Sequence, residues 1–298
     1  MGNGDNQKTT SSIMIRPIYA VVFGCILALG LPLNATSLWI LLRHHGLKSP
    51  NAVLMINLAI SDLLLVIFLP VRVYLYATGT WPLGKTTCLL VTLLFRDNIR
   101  SSSIFITFIS VDRLLAVVYP LRSRHLRTAS NAVKGAALVW LYVLVLNIPE
   151  GVNMSRHLRS QNETTCFESA HSKNPRKSNI IYIHIVVMLV MLAVNIWCTV
   201  MVLGTLHSRL SASARVNNKV NVMVIFAMNL VIFIICFLPV TLSSVLDING
   251  SDLTPLICLA TVNCCLDPLL YYFSLDAFWR KKEDANMRRT TRTNDTEQ

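Results

Sequence analysis

The sequence predicts an all-α membrane protein, a bundle of seven transmembrane helices followed by a short amphipathic eighth helix. Of its 298 residues, 53% are hydrophobic and only 14% are charged, whereas a soluble domain has about 25% charged residues. Apolar stretches of about 20 residues, long enough to cross about 30 Å of hydrocarbon as a helix, recur along the whole chain. Basic residues lie in alternate connecting segments, which is typical of a multi-pass topology.

Seven spans follow from this hydropathy pattern, within one domain. Residues 1–16 are predicted as an extracellular N-terminus, 17–274 as the bundle, and 275–298 as an amphipathic helix and cytoplasmic tail. The polar segment before the first span lacks the basic start of a cleavable signal peptide, so the first span is expected to be an uncleaved anchor. The predicted spans are Pro17–Leu42, Asn51–Ala77, Cys88–Val118, Ala132–Ile148, Ile180–Leu206, Val220–Leu246 and Leu253–Phe273.

Orientation follows from the positive-inside rule. Basic residues cluster between spans one and two, three and four, and five and six, and again after span seven. These segments are therefore expected in the cytoplasm, with the N-terminus outside. The net charge of +12 is a signal of topology, and nucleic acid is not an expected partner.

Two kinds of residue mark the predicted outer side. Asn162 and Asn249 begin glycosylation sequons in outer loops, and Asn153 begins one at an outer helix end. Six of the eight cysteines fall inside apolar spans, where thiols behave as small buried hydrophobes. Cys88 and Cys166 are left on the oxidising side, so a disulfide between them is expected.

Marker residues occur in order along the spans. With seven spans and an outer N-terminus, the chain from Ile18 to Trp279 resembles the rhodopsin-like (class A) G-protein-coupled receptors. The residues that carry the resemblance are Asn34 in GLPLNATSLW, Asn57, Asp62, Trp81, the Cys88 and Cys166 pair, Asp112-Arg113, Trp140, Cys236-Phe237-Leu238-Pro239 and Asp267-Pro268-Leu269-Leu270-Tyr271.

Departures from the family pattern narrow the branch. Phe237 replaces a tryptophan in span six, and Asp267 replaces an asparagine before Pro268. Within the family these variants are typical of the purinergic-like branch. The segments VDRLLAVVYPLRSRHLR, TCFES and NCCLDPLLYYFS are most similar to lysophosphatidic-acid receptors and related orphan receptors. Leu114 after Asp-Arg and Met191 in span five depart from the usual tyrosine and proline.

Three arginines lie in the outer halves of spans: Arg72 in span two, and Arg96 and Arg100 four residues apart on one face of span three. An ionisable residue at membrane depth is by default a functional hypothesis. Guanidinium groups here predict an anionic ligand group, a carboxylate or a phosphate. Structural pairing is the alternative, because Asp97 lies three residues before Arg100 and can neutralise it.

Aromatic residues are expected to complete the ligand site. Tyr76, Phe95, Phe167 and His184 are predicted near its walls, which suits a ligand with an apolar or aromatic body. Packing is the alternative role for each. By the family pattern, the position of Phe95 holds the carboxylate that binds amines, which argues against an aminergic receptor.

Deeper in the bundle, Asp62, Asn98, Ser102, Asn263 and Asp267 look like the family's sodium and water cluster. Oxygen ligands of this kind suit a hard cation, with Asp62 and Asp267 as the expected sodium ligands. A water-filled polar network without metal is the alternative.

At the inner end, the resemblance assigns G-protein coupling to Asp112, Arg113 and Tyr271. An arginine at the edge of the hydrocarbon costs about 2.5–3.5 kcal/mol, so Arg113 is expected to pair with the adjacent Asp112 as a latch. Proline kinks let the inner ends of spans six and seven swing. The expected switch residues are Phe237, Pro239 and Pro268.

The resemblance implies a plasma-membrane receptor that binds an extracellular lysophospholipid, nucleotide or small carboxylate and activates a heterotrimeric G protein. Arrestin and membrane lipids are further expected partners, with Phe278 and Trp279 inserted in the inner leaflet. A class A receptor for a peptide is the alternative. A transporter needs internal repeats and an enzyme needs clustered acid–base or metal-binding residues. Neither pattern is apparent, and the only cofactor expected is a structural sodium ion.

Overall fold

The computed structural model describes residues 3–160, 166, 179–208, 216–243, 245–246, 248 and 253–272. Within these ranges, seven helical segments are long and apolar enough to cross a membrane, which confirms the predicted bundle. The helices are Asn3–Ile40, Pro50–Val66, Leu69–Thr78, Gly84–Val118, Ala129–Ser160, Asn179–Ser208, Val216–Ile232, Leu238–Ser243 and Thr254–Tyr272.

Two helices are longer than predicted. The first begins at Asn3, so the segment 1–16 predicted as an outer N-terminus is helical from there onward. The helix of span four runs from Ala129 to Ser160 and contains Pro149, whereas the sequence predicted an end at Ile148. Proline removes one backbone hydrogen bond, but inside a transmembrane bundle neighbouring groups can satisfy the freed carbonyl. The extension carries the helix three turns further outward and brings Glu150 into the bundle.

Two other spans are interrupted beside proline. The second span breaks at Ile67 and Phe68 and resumes as Leu69–Thr78, with Pro70 in its first turn, where the missing N–H costs no hydrogen bond. The sixth span contains a wider π-helical turn, Phe233–Phe237, immediately before the helix that holds Pro239. A proline ring clashes with the carbonyl four residues earlier, and the wider turn relieves that clash.

The third span, Gly84–Val118, is the central element. It packs against spans two, four, five and six, and side chains around it form one core. The fully buried aromatic residues of that core are Phe23, Phe105, Phe233, Phe237 and Tyr271. On the outside, Trp39, Leu144 and Ile148 are exposed, as expected for a surface that faces lipid.

Buried amides tie the spans together. The Asn34 side chain donates to the Cys264 carbonyl at 2.6 Å and joins spans one and seven. The Trp140 indole donates to the Asn57 side-chain oxygen at 2.9 Å and joins spans four and two. Interhelical hydrogen bonds of this kind hold helices together where apolar burial gives no driving force between them.

Candidate functional site

Arg72 lies in the outer half of span two with only 2% of its surface exposed. Its guanidinium carbon lies 4.7 Å from the centre of the Phe95 ring and 5.9 Å from the centre of the Phe23 ring. Aromatic faces attract a cation at such distances, and more strongly when it is desolvated. Arg72 is therefore held between rings of spans one and three.

Tyr76, one turn beyond Arg72, continues this aromatic wall. Its ring stacks on Phe23 at 5.4 Å and meets Tyr19 edge-on at 5.8 Å. Its hydroxyl lies 3.4 Å from the Thr254 hydroxyl of span seven. Spans one, two and three thus place aromatic rings around Arg72, and two of the residues predicted as pocket walls, Tyr76 and Phe95, are among them.

Arg96 and Arg100 have a different environment. Glu150 of span four bridges them: one carboxylate oxygen bonds Arg100, and the other accepts from Arg96 at 3.2 Å. Asp97 lies 3.7 Å from Arg100 and accepts from the Asn147 amide at 2.7 Å. We call these five residues the ionic cluster. It joins spans three and four and contains two guanidinium groups and two carboxylates.

The ionic cluster corrects one expectation. The sequence interpretation left Arg96 without a carboxylate partner and allowed Arg100 only Asp97, but Glu150 pairs with both arginines. Glu150 was missed because the predicted span ended at Ile148. One signal was available: Asn147 and Glu150 are three residues apart and share a helix face opposite a span with two arginines.

Other predicted ligand residues have mixed outcomes. His184 of span five is half-buried and is an electrostatic neighbour of Arg96, Arg100 and Glu150, which places it beside the ionic cluster. Phe167 lies outside the described residues.

The five residues predicted as a sodium and water cluster are all buried. The Asn98 amide donates to Asp62 at 3.0 Å and to Ser102 at 3.2 Å, and Asp267 and Asn263 are fully buried. Asp62 and Asp267 are electrostatic neighbours. Ser61, which sequence reasoning missed, bridges the Ser101 and Ser102 hydroxyls at 2.6 and 3.2 Å.

Several acceptors of this cluster have no hydrogen-bond partner within the described part of the chain. They are one oxygen of Asp62, both oxygens of Asp267 and the oxygen of Asn263. Buried acceptors without partners are costly. The donor set consists of carboxylate, amide and hydroxyl oxygens, which fits a hard cation such as sodium, and water would satisfy the same atoms.

The inner end contradicts the predicted Asp112–Arg113 latch. Asp112 instead accepts two hydrogen bonds from Arg127, at 2.8 and 3.1 Å. Adjacent residues of a helix do not face each other, and Arg113 remains an electrostatic neighbour of Asp112 without an ion pair between them in the described part of the chain. The Arg113 Nε is buried and has no hydrogen-bond partner in the described ranges.

The loop after span three delivers Arg127 to Asp112. The backbone N–H of Ser123 bonds the Tyr119 carbonyl at 3.0 Å, and that of Arg127 bonds the Ser123 carbonyl at 2.9 Å. The Ser123 hydroxyl also donates to the Leu115 carbonyl at 3.1 Å. Arg127 was predicted only as a marker of the cytoplasmic side, and the folded loop makes it the partner of Asp112.

The predicted switch and coupling residues lie in the core. Phe237 is fully buried and packs edge-on against Phe233 at 5.8 Å. Tyr271 is 1% exposed near the inner end of span seven. Pro239 and Pro268 lie within the helices Leu238–Ser243 and Thr254–Tyr272.

The disulfide between Cys88 and Cys166 is present, with 5.7 Å between the two Cα atoms and a sequence separation of 78. This confirms the expected pair. Both cysteines are buried in a small apolar cluster with Trp81, Met154 and Leu158. Of the predicted sequons, Asn153 is exposed on the helix of span four, whereas Asn162 and Asn249 lie outside the described residues. Phe278 and Trp279, predicted to insert in the inner leaflet, also lie outside them.

Comparison with known proteins gives a consistent result. Residues 33–271 match the family described as 7 transmembrane receptor (rhodopsin family). The chain is 36% identical over 278 residues to lysophosphatidic acid receptor 6 of Gallus gallus, covering 87% of this chain and 90% of that receptor. It is 35% identical over 280 residues to lysophosphatidic acid receptor 4 of Homo sapiens, covering 88% and 74%. It is 30% identical over 281 residues to a purinoceptor of Gallus gallus, covering 88% and 77%.

Proposed function

The chain belongs to the rhodopsin family of seven-transmembrane receptors, and we propose that it responds to an extracellular lysophospholipid whose phosphate binds at Arg72. It is a multi-pass membrane protein and a G-protein-coupled receptor rather than an enzyme. The observation that carries the ligand proposal is a guanidinium group almost fully buried in the outer half of the bundle, among aromatic rings.

The chemistry of this site suits a ligand with an anionic head and an apolar body. A guanidinium fork can bind two phosphate oxygens at once. Its low exposure means that water screens the charge weakly, so an arriving anion gains more than it would at the surface. Rings from Phe23, Tyr76 and Phe95 supply apolar surface next to the charge. The lysophosphatidic acid named for the relatives has this combination of groups.

We place the ligand site on the extracellular side. Disulfides persist in oxidising compartments, and the Cys88–Cys166 bond lies at the start of span three. Spans one and three run in the same direction, so the N-terminus lies outside with the disulfide. This orientation supports a plasma-membrane receptor whose loop after span three contacts the cytosol.

The proposed signalling step uses the inner end. Ligand binding favours the state in which the inner half of span six moves outward, with the π-helical turn Phe233–Phe237 and Pro239 as the point of bending. Arg113, which has no direct pair with Asp112, is then available to contact the G protein beside Tyr271. Arrestin binds the same cytoplasmic opening. Asp62 and Asp267 would hold a sodium ion, whose charge would compensate these two buried carboxylates.

A direct experiment tests the ligand class. Cells expressing the chain are exposed to lysophosphatidic acid, nucleotides, small carboxylates and a peptide library, with G-protein activation as the readout. We expect lysophosphatidic acid to activate the wild type, and Arg72→Ala at equal surface expression to require much more of it. Activation by an uncharged or peptide ligand alone, or an unchanged response of Arg72→Ala, would overturn the proposal.

A further inference from the structure

We propose that Glu150 is an internal counter-anion of the ligand site: it occupies the Arg96 guanidinium until an anionic ligand displaces it, and so selects among anions. The inference rests on the proposed anionic ligand and adds a residue that sets specificity. The inference concerns one contact within the ionic cluster, the one between Glu150 and Arg96.

The two arginines that Glu150 contacts differ in how exposed their side chains are. Toward the bundle, one oxygen bonds Arg100, whose side chain is only 5% exposed. Toward the outside, the other oxygen lies 3.2 Å from Arg96, whose side chain is 31% exposed. The contact with Arg96 is therefore the more accessible of the two, and the contact with Arg100 is buried.

Arg100 contacts a second carboxylate besides Glu150, and its bond to Glu150 does not involve Arg96. Asp97 lies 3.7 Å from Arg100 and is oriented by the Asn147 amide at 2.7 Å. When a ligand takes Arg96, Glu150 therefore remains paired with Arg100, and no carboxylate is stranded in the membrane. Ligand binding therefore exchanges only one hydrogen bond of Glu150, the one from the more exposed Arg96.

Charge balance explains why this exchange selects among anions. The two guanidinium groups of the ionic cluster are matched by two carboxylates, so an incoming anion gains only the difference between its own attraction to Arg96 and that of Glu150. A phosphate monoester carries about −1.5 to −2 charges at neutral pH with three acceptor oxygens, and it competes well against one carboxylate. A carboxylate ligand replaces the Glu150 carboxylate at Arg96 by another carboxylate and gains little. The presence of Glu150 therefore favours phosphate over carboxylate ligands.

The test compares two ligands with the same acyl chain, oleoyl lysophosphatidic acid and oleate. Glu150→Gln keeps the size of the side chain and one acceptor oxygen but removes the charge. We expect Glu150→Gln to increase the potency of oleate by about 10-fold and that of lysophosphatidic acid by less. The ratio of the two potencies, which measures the preference for phosphate, should therefore decrease. Removal of a competing charge-assisted hydrogen bond is of the size that gives such a change.

Two variants control this experiment. Asp97→Asn removes the other carboxylate of the ionic cluster but breaks no contact with Arg96, so we expect similar small gains for both ligands and an unchanged ratio. In the double variant Arg96→Ala/Glu150→Gln, the gain should disappear, because the competition takes place at Arg96. An unchanged potency ratio in Glu150→Gln, or a gain that survives in the double variant, overturns the inference.

A second readout separates this inference from the proposed function. The unfolding temperature of the purified receptor is measured with hexyl phosphate and with hexanoate, which requires no signalling. Hexanoate should stabilise Glu150→Gln more than the wild type, and equal stabilisation overturns the inference. If lysophosphatidic acid does not activate the wild type but this shift occurs, the proposed function fails and the role of Glu150 stands.

If Glu150→Gln does not reach the membrane, Glu150→Asp serves as a second variant. It keeps the charge that Arg100 needs and shortens the side chain by one methylene, which withdraws it from Arg96. The potency ratio of the two oleoyl ligands should again narrow, and an unchanged ratio in this variant counts against the inference.

Discussion

Arg72 and Arg100 are buried to nearly the same extent, 2% and 5% exposed, but their surroundings differ. Arg72 lies against the faces of Phe95 and Phe23, whereas Arg100 bonds Glu150 and lies near Asp97. Both guanidinium groups have neighbours that stabilise them, aromatic faces at Arg72 and carboxylates at Arg100, and the chemistry of those neighbours differs. Burial alone therefore does not identify an anion site, and the groups around the charge decide between ligand recognition and structural pairing.

The largest effect is expected for Arg100→Ala, which breaks the buried centre of the ionic cluster. Removal of one partner from a buried ion pair costs about 3–5 kcal/mol, because the remaining charge stays buried. We expect most of this variant to be lost from the cell surface, as measured by antibody labelling of an N-terminal tag.

The matched control for Arg100→Ala removes the stranded charge as well. Arg100→Ala/Asp97→Asn should recover part of the surface expression, because Glu150 keeps its contact with Arg96 and Asp97 is the carboxylate that loses its ion pair. Normal expression of the single variant would show that the cluster does not tie spans three and four together, and would remove the distinction from Arg72.

Arg72→Ala should alter ligand recognition rather than folding. Loss of a charge-assisted hydrogen bond of about 1.5–3 kcal/mol corresponds to a loss of agonist potency of about 10- to 100-fold. Surface expression is expected to stay near that of the wild type. Dose–response curves for lysophosphatidic acid at matched expression measure the effect. A collapse in expression like that of Arg100→Ala would place Arg72 in the structural class.

Arg72→Lys tests whether the ligand is recognised by the charge of Arg72 alone or also by the geometry of its guanidinium group. Lysine keeps the positive charge but loses the planar fork that binds two phosphate oxygens. We expect a potency between those of the wild type and Arg72→Ala, with a shallower preference for phosphate over carboxylate ligands. Full recovery by lysine would mean that charge alone is recognised and that guanidinium geometry is not used.

The smallest effect is expected for Arg96→Ala. Because a ligand must exchange with Glu150, the net gain at Arg96 should be that of an ordinary hydrogen bond, about 0.5–1.5 kcal/mol or about 2- to 10-fold in potency. Glu150 keeps its bond to Arg100, so expression should be preserved. A loss of potency as large as that of Arg72→Ala would mean that Arg96 contributes as much to ligand binding as Arg72, and would contradict the smaller effect expected here.

The elements predicted from the sequence were those with a local signal. Span three ends at Val118 as predicted, because hydropathy over about 20 residues is enough to detect a membrane-crossing helix. The pairing of Cys88 with Cys166 was also accessible, since topology left two cysteines on the oxidising side. The predicted end of span four at Ile148 was wrong, because hydropathy detects only the apolar part of a helix, and this helix continues into the more polar residues up to Ser160.

The sequence by itself determined the membrane class, the seven spans, the receptor family and the residue types of the candidate site. Only the tertiary structure decided which charges are paired. Glu150 meets Arg100 across 50 residues of sequence, and Arg127 meets Asp112 across 15. The physical reason is range: hydropathy is a sum over neighbours along one helix, whereas an ion pair requires direct contact between segments whose rotation and depth are fixed only by packing. Proximity in sequence suggested Arg113 for Asp112, but adjacent helical side chains diverge, and the partner came from the loop.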